Sequence, residues 1–478
     1  MLIVNCLKKD YLANPFSALI LTVIIVFLNS CVTEPEEKIT FFGGKIKNPK
    51  DEYVYIFQND KVLDSAKLDT HHKFSFALDS IDVGLYIFRH GPEFQYLYLE
   101  PQDSLMIYLN TWDFDESLIF SGKGSKKNNY LINLYLEQEQ NEKNFKYNYK
   151  LGEEEFSDLV DEGIKKLLED YNELLSGEEE PPTPYFDKLA KAGIYFPFYY
   201  FKEYYPYNHK WQLGLKDFPE LSEEFYSFRK DVDLNDASLL EFVPYTLYVR
   251  TYLYHMAHEE KNSDPEKKNI ELNFMKQVVD KIHLESLRNH FLASSAWKSL
   301  SNEYISEEEH KEIQDFFLTH CSDEMFRSEL TASVKQKSIF RPGDTLPELK
   351  VTNSNGNEVV INQFTRNNPS VIFFWPKDRS RAEMVREKLH DLQKEYPEVV
   401  FIGVERNLDQ KAWNEFLETN KLPKDRQFQL SSNSDSYSWF AGDMERTILV
   451  DSHGLIKNPF LFFNDKYLDM YLKDLKKR

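Results

Sequence analysis

The chain has 478 residues, of which 41% are hydrophobic and 15% aromatic, with 37 Phe and 29 Tyr against 16 Gly. This composition can bury large cores and excludes a wholly disordered protein, and the length predicts about three domains. The formal net charge of −21 repels polyphosphates, so we expect no nucleic-acid partner. The three cysteines form no closely spaced, even-numbered framework, so we expect the hydrophobic cores to hold the fold without disulfides.

Residues 1–30 have the pattern of an export signal. Lys8 and Lys9 precede an almost unbroken apolar run over residues 16–28, shorter than the roughly 20 residues that a membrane-spanning helix needs. The sequence Leu28-Asn-Ser-Cys31 that follows is similar to the bacterial lipobox. The resemblance implies a diacylated Cys31 that anchors the protein in the cell envelope, most simply at the outer membrane, on its periplasmic face or at the cell surface. The alternative is a plain secretory signal or a membrane anchor.

An acidic tether is expected over residues 31–38, followed by a β-rich domain over residues 39–125. Six short runs alternate apolar and polar residues and are separated by turn residues. We predict strands at Ile39–Phe42, Tyr53–Phe57, Lys73–Ala77, Gly84–Phe88, Tyr96–Leu99 and Ser104–Tyr108. This pattern favours an antiparallel sandwich or a small barrel. The glycines after Phe120 lack the spacing of a phosphate-binding loop, so we interpret them as a turn into the first helix.

Residues 126–335 change to a period of 3.6 and predict a helical region, with helices that include 237–258, 271–290 and 307–321. The aromatic block over residues 195–201 favours a buried core, because aromatic residues at helical spacing usually pack inside. The alternative is a glycan- or nutrient-binding surface, which predicts exposed rings lining a groove. The exposure of Tyr199, Tyr205 and Trp211 separates the two interpretations.

One helix of this region places His255, His258 and Glu259 on adjacent turns. The spacing matches neither HExxH nor HxxEH, and the sequence offers no obvious third ligand. We therefore predict no metal site here and keep zinc as the less favoured alternative.

Residues 336–478 alternate strands and helices. An early hairpin flanks the turn at residues 353–357, and a buried strand over 370–375 is followed by a helix over 379–396. A second strand over 399–404, a helix over 409–419, a hairpin around 451–454 and a final helix over 465–476 complete the pattern. This order favours a mixed sheet covered on both faces.

Several motifs in this last region resemble those of TlpA-like and AhpC/TSA-like thioredoxin-fold proteins. Gly343-Asp-Thr-Leu-Pro347 resembles their G-x-x-x-P entry, and Asp378-Arg-Ser-Arg-Ala-Glu-Met384 resembles the G-P-C-R-A-E-M opening of the helix after the active site. Arg446-Thr-Ile-Leu-Val-Asp451 is similar to their T-T-F-L-I-D. The resemblance implies a multidomain α+β protein with an N-terminal antiparallel β domain, a helical middle region and a C-terminal thioredoxin-like α/β domain.

The same resemblance places Lys377 and Ser380 at the two cysteines of the C-x-x-C motif, and Glu445 at the position of the cis-proline. Disulfide exchange needs a thiolate at the start of the helix and a second thiol to resolve the mixed disulfide. Lys377 and Ser380 supply neither, and no cysteine follows Cys321. A peroxiredoxin also needs a cysteine on this first helical turn. We interpret Cys321 as a buried, inert thiol and Asp378 as the N-cap of the helix.

These observations predict a lipid-anchored envelope protein that binds or holds an envelope protein partner and is not an enzyme. We predict no catalytic residue, cofactor or metal. The alternatives are a thiol-disulfide oxidoreductase or peroxiredoxin-type protein, which the family resemblance implies, and a glycan- or nutrient-binding lipoprotein.

Overall fold

A computed structural model describes residues 39–59, 61–177, 181–263, 269–300, 302, 305–376, 381–406, 408–430, 446–464 and 468–476. The signal segment, the tether and Cys31 lie outside these residues, as do Lys377, Ser380 and Glu445. The described chain combines mainly antiparallel N-terminal sheets with a helical middle and a mixed α/β region, as expected. Among the described helices, none has the length and apolar character needed to cross a bilayer.

Eight strands build the N-terminal part as two facing four-stranded sheets, in the orders β4-β1-β7-β8 and β3-β2-β5-β6. The strands are β1 (Ile39–Lys47), β2 (Tyr53–Gln58), β3 (Lys61–Lys67), β4 (Lys73–Asp79), β5 (Gly84–His90), β6 (Glu93–Leu99), β7 (Ser104–Asn110) and β8 (Ile119–Lys123). All six predicted strands are present, and alternate residues such as Phe42, Phe76 and Phe88 fill the space between the sheets.

Two features of this part differ from the prediction. Strands β1 and β7 pair in parallel, whereas every other pair in the two sheets is antiparallel. Strand β3 was not predicted because none of its residues is buried, so its sequence KVLDSAK carries no alternation of apolar and polar residues.

The described part of the middle region contains eight α-helices. They are α1 (Ser125–Asn148), α2 (Glu153–Ser176), α3 (Pro184–Leu213), α4 (Val243–Ser263), α5 (Ile270–Lys281), α6 (Glu285–Leu300), α7 (Glu307–His320) and α8 (Glu324–Ile339). The start of α3 is encoded locally, since Thr183 accepts a hydrogen bond from the backbone N–H of Phe186 and Pro184 occupies the first turn. Gly214 ends the helix in the left-handed conformation.

The single helix predicted over residues 271–290 is wrong, because the structure has two helices there, α5 and α6. The amide oxygen of Asn235 accepts hydrogen bonds from the backbone N–H groups of His283 and Leu284, at 2.6 and 3.2 Å. This long-range contact satisfies donors that a continuous helix would pair internally. The predicted helix over residues 237–258 likewise begins later, at Val243, after a 3₁₀ turn over Ala237–Leu239.

The C-terminal part is a seven-stranded sheet in the order β10-β9-β13-β12-β11-β14-β15. Its elements are β9 (Lys350–Thr352), β10 (Glu358–Val360), β11 (Ser370–Phe374), α9 (Ala382–Glu395), β12 (Val400–Glu405), α10 (Gln410–Thr419), β13 (Gln427–Leu430), β14 (Thr447–Val450), β15 (Ile456–Leu461) and α11 (Leu468–Lys476). Strands β11, β12 and β13 are parallel, and separate apolar clusters cover the two faces of the sheet. Strand β13 was not predicted.

Two consecutive asparagines join the β sandwich to the helical region. The side-chain amide of Asn128 bonds both the N–H and the C=O of Tyr98 in the edge strand β6, each at 2.8 Å. The amide of Asn129 bonds the N–H and C=O of Phe120 in the other edge strand, β8, at 2.9 and 2.8 Å. These two residues, called here the asparagine pair, satisfy backbone groups that edge strands otherwise leave unpaired.

The turn between β8 and α1 also explains the glycines that resemble a phosphate-binding loop. Gly122 and Gly124 both have positive φ angles, and a Cβ at Gly124 would lie 2.6 Å from a carboxylate oxygen of Asp103. This buried carboxylate therefore lies where the start of α1 would otherwise offer room for an anion. The interpretation of this segment as a turn into the first helix agrees with the structure.

We expect Asn128→Ala to lower the free energy of unfolding by about 1–3 kcal/mol, because it leaves the buried backbone groups of Tyr98 without partners. Urea unfolding followed by circular dichroism measures the change. Asn144→Ala is the matched control, since Asn144 lies on the same helix and is exposed. Equal stability of the two variants would show that the contact to β6 contributes nothing.

Candidate functional site

The carboxyl ends of the parallel strands β11 and β12 form the edge of the C-terminal sheet where functional groups are expected. Strand β11 ends at Phe374 and continues into Trp375 and Pro376, and α9 begins at Ala382. Lys377 and Ser380, which the sequence resemblance aligns with the cysteines of C-x-x-C, fall between these points and lie outside the described residues. The site can therefore be described through the groups on either side of them.

Trp375 is fully buried and fixes the end of β11. Its indole N–H donates a hydrogen bond to Oε1 of Gln427 at 2.9 Å, and its ring meets that of Phe416 edge-on at 5.1 Å. A Cβ at Gly403 would lie 2.2 Å from Oε1 of Gln427 and 2.6 Å from the indole nitrogen, so this position requires glycine. Sequence reasoning missed Gly403, although a glycine inside a strand pattern is itself a signal of close approach.

Three charged groups lie beside this strand end. Glu405 ends β12 fully buried, and its carboxylate accepts hydrogen bonds from the backbone N–H groups of Arg406 and Leu408. The guanidinium of Arg446 is buried and lies 4.8 Å from the ring of Phe340. Its burial and the neighbouring positive charge of Arg406 lower the pKa of Arg446 to about 9. This edge carries guanidinium and carboxylate groups, which cannot exchange two electrons with a disulfide.

Cys321 is the one cysteine within the described residues, and it lies in a different part of the fold. It caps the C-terminal end of α7 and belongs to the apolar core of the helical region, with 3% of its surface exposed. Burial raises the pKa of its thiol, so the thiolate is disfavoured. The expectation of a buried thiol agrees with the structure.

The histidine pair of the helical region takes part in a buried ion network. Both ring nitrogens of His255 are occupied, Nδ1 by the carboxylate of Glu203 at 3.0 Å and Nε2 by that of Glu259 at 3.2 Å. The guanidinium of Arg229 binds the same Glu203 through two hydrogen bonds, at 2.9 and 2.6 Å. His258 instead contacts the ring of Tyr207.

This network leaves no nitrogen of His255 for a metal, and the described residues contain no group of three or more metal-ligating side chains. The network joins α3, α4 and the 3₁₀ segment Glu224–Asp231. Sequence reasoning named the two histidines and Glu259 but missed Glu203 and Arg229, because only the packing of distant segments brings them together.

The three aromatic residues whose exposure distinguishes a core from a binding surface differ in their burial. Tyr205 is fully buried, and Tyr199 is half-buried with its ring stacked on that of Phe228 at 4.3 Å. Trp211, near the end of α3, is 80% exposed. Tyr199 and Tyr205 therefore pack in or against the core, as favoured, whereas Trp211 does not.

No protein-family model and no curated protein matches the chain. Among solved structures, the chain is similar to a putative thiol-disulfide oxidoreductase from Bacteroides vulgatus, at 18% identity over 29% of this chain and 99% of that chain, with a TM-score of 0.26. It is similar to a putative protein disulfide isomerase from Bacteroides thetaiotaomicron, at 16% identity over 29% of this chain and 90% of that one, with a TM-score of 0.25. A peroxiredoxin-like protein from Aquifex aeolicus matches at 15% identity over 29% of this chain and 87% of that one, with a TM-score of 0.25. Part of the chain resembles the thioredoxin fold of these proteins.

We expect the ion network to make stability depend on pH. Burial lowers the pKa of His255, but its hydrogen bonds to Glu203 and Glu259 raise the pKa more, to about 9. Because this value lies above the unfolded value near 6.5, the stabilisation is complete below pH 6.5 and is lost as the pH rises through 9. The loss amounts to up to about 3 kcal/mol.

Unfolding by urea at pH 6 and at pH 9.5 measures this loss in the wild type and in His255→Gln, where it should be absent. His390→Gln is the control, since His390 is exposed on α9. An identical pH dependence in the wild type and His255→Gln would contradict the assignment.

Proposed function

We propose that the protein is a membrane-anchored envelope lipoprotein whose thioredoxin-like C-terminal domain binds a protein partner without thiol chemistry. The observation that carries the proposal is the sequence at the junction of β11 and α9. Lys377 and Ser380 stand at the positions where the family has cysteines, and no cysteine occurs between Cys321 and the C-terminus. A binding role needs the fold and its surface, whereas disulfide exchange needs two thiols at this junction.

The location of the remaining thiol supports this proposal. Cys321 packs in the core of the helical region, whereas the apolar clusters of the C-terminal sheet and the side chains packed against them come from Ile339 onward. A buried thiol in a separate core cannot reach the strand end at Trp375 without unfolding. Its raised pKa also disfavours the nucleophilic thiolate.

The alternative is a thiol-disulfide oxidoreductase or peroxiredoxin-type enzyme, as the family resemblance implies. The solved structures that the chain resembles carry such names. This alternative needs a nucleophile of another kind. Neither Lys377 nor Ser380 carries a thiol, so neither side chain can form the mixed disulfide of such an enzyme.

In the proposal, the β sandwich and the helical region hold the C-terminal domain away from the membrane. Leu85 and Tyr98 of the β sandwich pack in the same core as the helices, so the sandwich and helical region form one folded body. The C-terminal sheet has its own two clusters. In the proposal, Cys31 carries the acyl chains and residues 31–38 link them to this body.

We expect the full chain, purified in detergent, to show no dithiothreitol-dependent reduction of insulin disulfides above a Cys6→Ser/Cys31→Ser/Cys321→Ser variant. The double substitution Lys377→Cys/Ser380→Cys should create this activity, because it restores both thiols at the junction. The double variant also controls for folding of the domain. Turnover by the wild type above the cysteine-free variant would overturn the proposal.

The anchor is tested separately. In a bacterial host with lipoprotein processing, we expect labelled palmitate to be incorporated into the wild type and the protein to fractionate with membranes. Cys31→Ser should abolish the labelling, whereas Cys6→Ser should leave it unchanged. Labelling that persists in Cys31→Ser would contradict the assignment of Cys31 as the lipidated residue.

A further inference from the structure

A groove of about 820 Å³ lies between the C-terminal halves of α1 and α3. Its lining combines aromatic rings with polar and charged side chains, among them Lys143, Tyr147, Tyr204, Asn208 and Trp211. Trp211 is 80% exposed and Tyr147 is 71% exposed. Large rings left in water at one groove mark a binding site more often than scattered exposure does.

The walls of the groove are joined by hydrogen bonds between distant segments. The side chain of Gln212 donates to the carbonyl of Lys146 at 2.6 Å, and Nδ1 of His209 lies 2.8 Å from the carbonyl of Tyr149. The hydroxyl of Tyr205 donates to the carbonyl of Leu151 at 2.7 Å. These contacts hold the end of α3 against the end of α1, so the groove is preformed and a ligand need not order it.

Aromatic rings line both walls of the groove, along α3 and near the end of α1. Tyr200, Tyr204 and Trp211 follow one face of α3 at intervals of four and seven residues, and the first two rings lie 4.7 Å apart. Seven residues correspond to about 10 Å along a helix, so Tyr204 and Trp211 can contact successive units of an extended ligand. Tyr147 lies on the opposite wall, near the end of α1.

We propose that this groove binds an oligosaccharide that carries carboxylates. Sugar rings present flat C–H faces that pack on aromatic faces, and their hydroxyl groups need donors and acceptors beside those faces. The amides of Asn208 and Gln212 and the carboxylates of Glu139 and Glu142 provide them. None of the described lining residues is aliphatic, which disfavours an amphipathic helix or a lipid, whose apolar face needs such contacts.

The lining of the groove carries more lysine than glutamate side chains, which favours an anionic oligosaccharide over a neutral one. Lys143, Lys146 and Lys150 outnumber Glu139 and Glu142 in the lining, whereas the whole chain carries a net charge of −21. A local excess of positive charge on an acidic protein attracts an anionic ligand to this place. The site lies in the helical region, so it is independent of the proposed role of the C-terminal domain and of the thiol assay.

The test measures binding of the full chain, in detergent, to hexasaccharides of galacturonic, glucuronic and mannuronic acid by titration calorimetry. Maltohexaose is the neutral comparison and hexaglutamate is the peptide of equal charge. We expect at least one uronate hexasaccharide to bind, and both comparison ligands to bind at least about tenfold more weakly. Trp211→Ala should weaken binding about tenfold, since one lost ring contact of about 1.4 kcal/mol changes the affinity by that factor.

Two variants control for the role of the ring. Trp211→Phe keeps a flat face and should retain most of the affinity. Trp112→Ala removes a ring of similar exposure from the β sandwich and should change nothing. Both positions are exposed, so unchanged circular dichroism and melting temperature are expected in every variant.

Each of several results would overturn the proposal. They are the absence of binding to every uronate hexasaccharide, equal binding by the wild type and Trp211→Ala, binding of hexaglutamate as tight as that of the uronates, and equal effects of Trp211→Ala and Trp112→Ala. Light scattering that shows a dimer lost in Trp211→Ala would also overturn it and would assign the groove to contact between two copies of this chain.

Discussion

The asparagine pair is the contact on which the position of the helical region depends. Asn128 and Asn129 are neighbours in α1, and successive helical residues point about 100° apart, so one amide reaches each sheet of the sandwich. The same helix then contributes Ile132 to the core of the sandwich and Leu134 to the core of the helical region. Because α1 is about 36 Å long, an orientation fixed at its first turn also fixes the groove wall at its far end.

The opposite wall of that groove is positioned by buried charge. Glu203 of α3 is fully buried and binds both Arg229 and His255, so the helix cannot rotate without exposing or unpairing a carboxylate. Breaking a buried ion pair on one side is costly, since the remaining charge keeps its desolvation penalty. The wall at the end of α3 is therefore held from within by the ion network and from the side by bonds to α1.

Elements that depend on local sequence patterns were predicted, whereas features that depend on contacts between residues far apart in sequence were not. The alternating strands of the sandwich and most of the strand-helix order of the C-terminal sheet are local patterns and were predicted, whereas strand β13 was not. Strand β3 is exposed and carries no pattern, and the break between α5 and α6 depends on Asn235, far away in sequence. For the site, the absence of any cysteine after Cys321 is visible directly in the sequence. The exposure of Trp211 is not, because core and surface aromatics share the same helical spacing.

The groove and the C-terminal sheet belong to separate apolar cores. The end of β11 is held by the hydrogen bond from Trp375 to Gln427 and by their close packing on Gly403. Neither contact involves a thiol. The C-terminal sheet therefore holds this end of β11 in place without a thiol among the described residues. Its two apolar clusters share no residue with the core that carries the groove. Sites in separate cores without shared partners contribute additively to stability, so substitutions at the groove should leave the C-terminal surface unchanged.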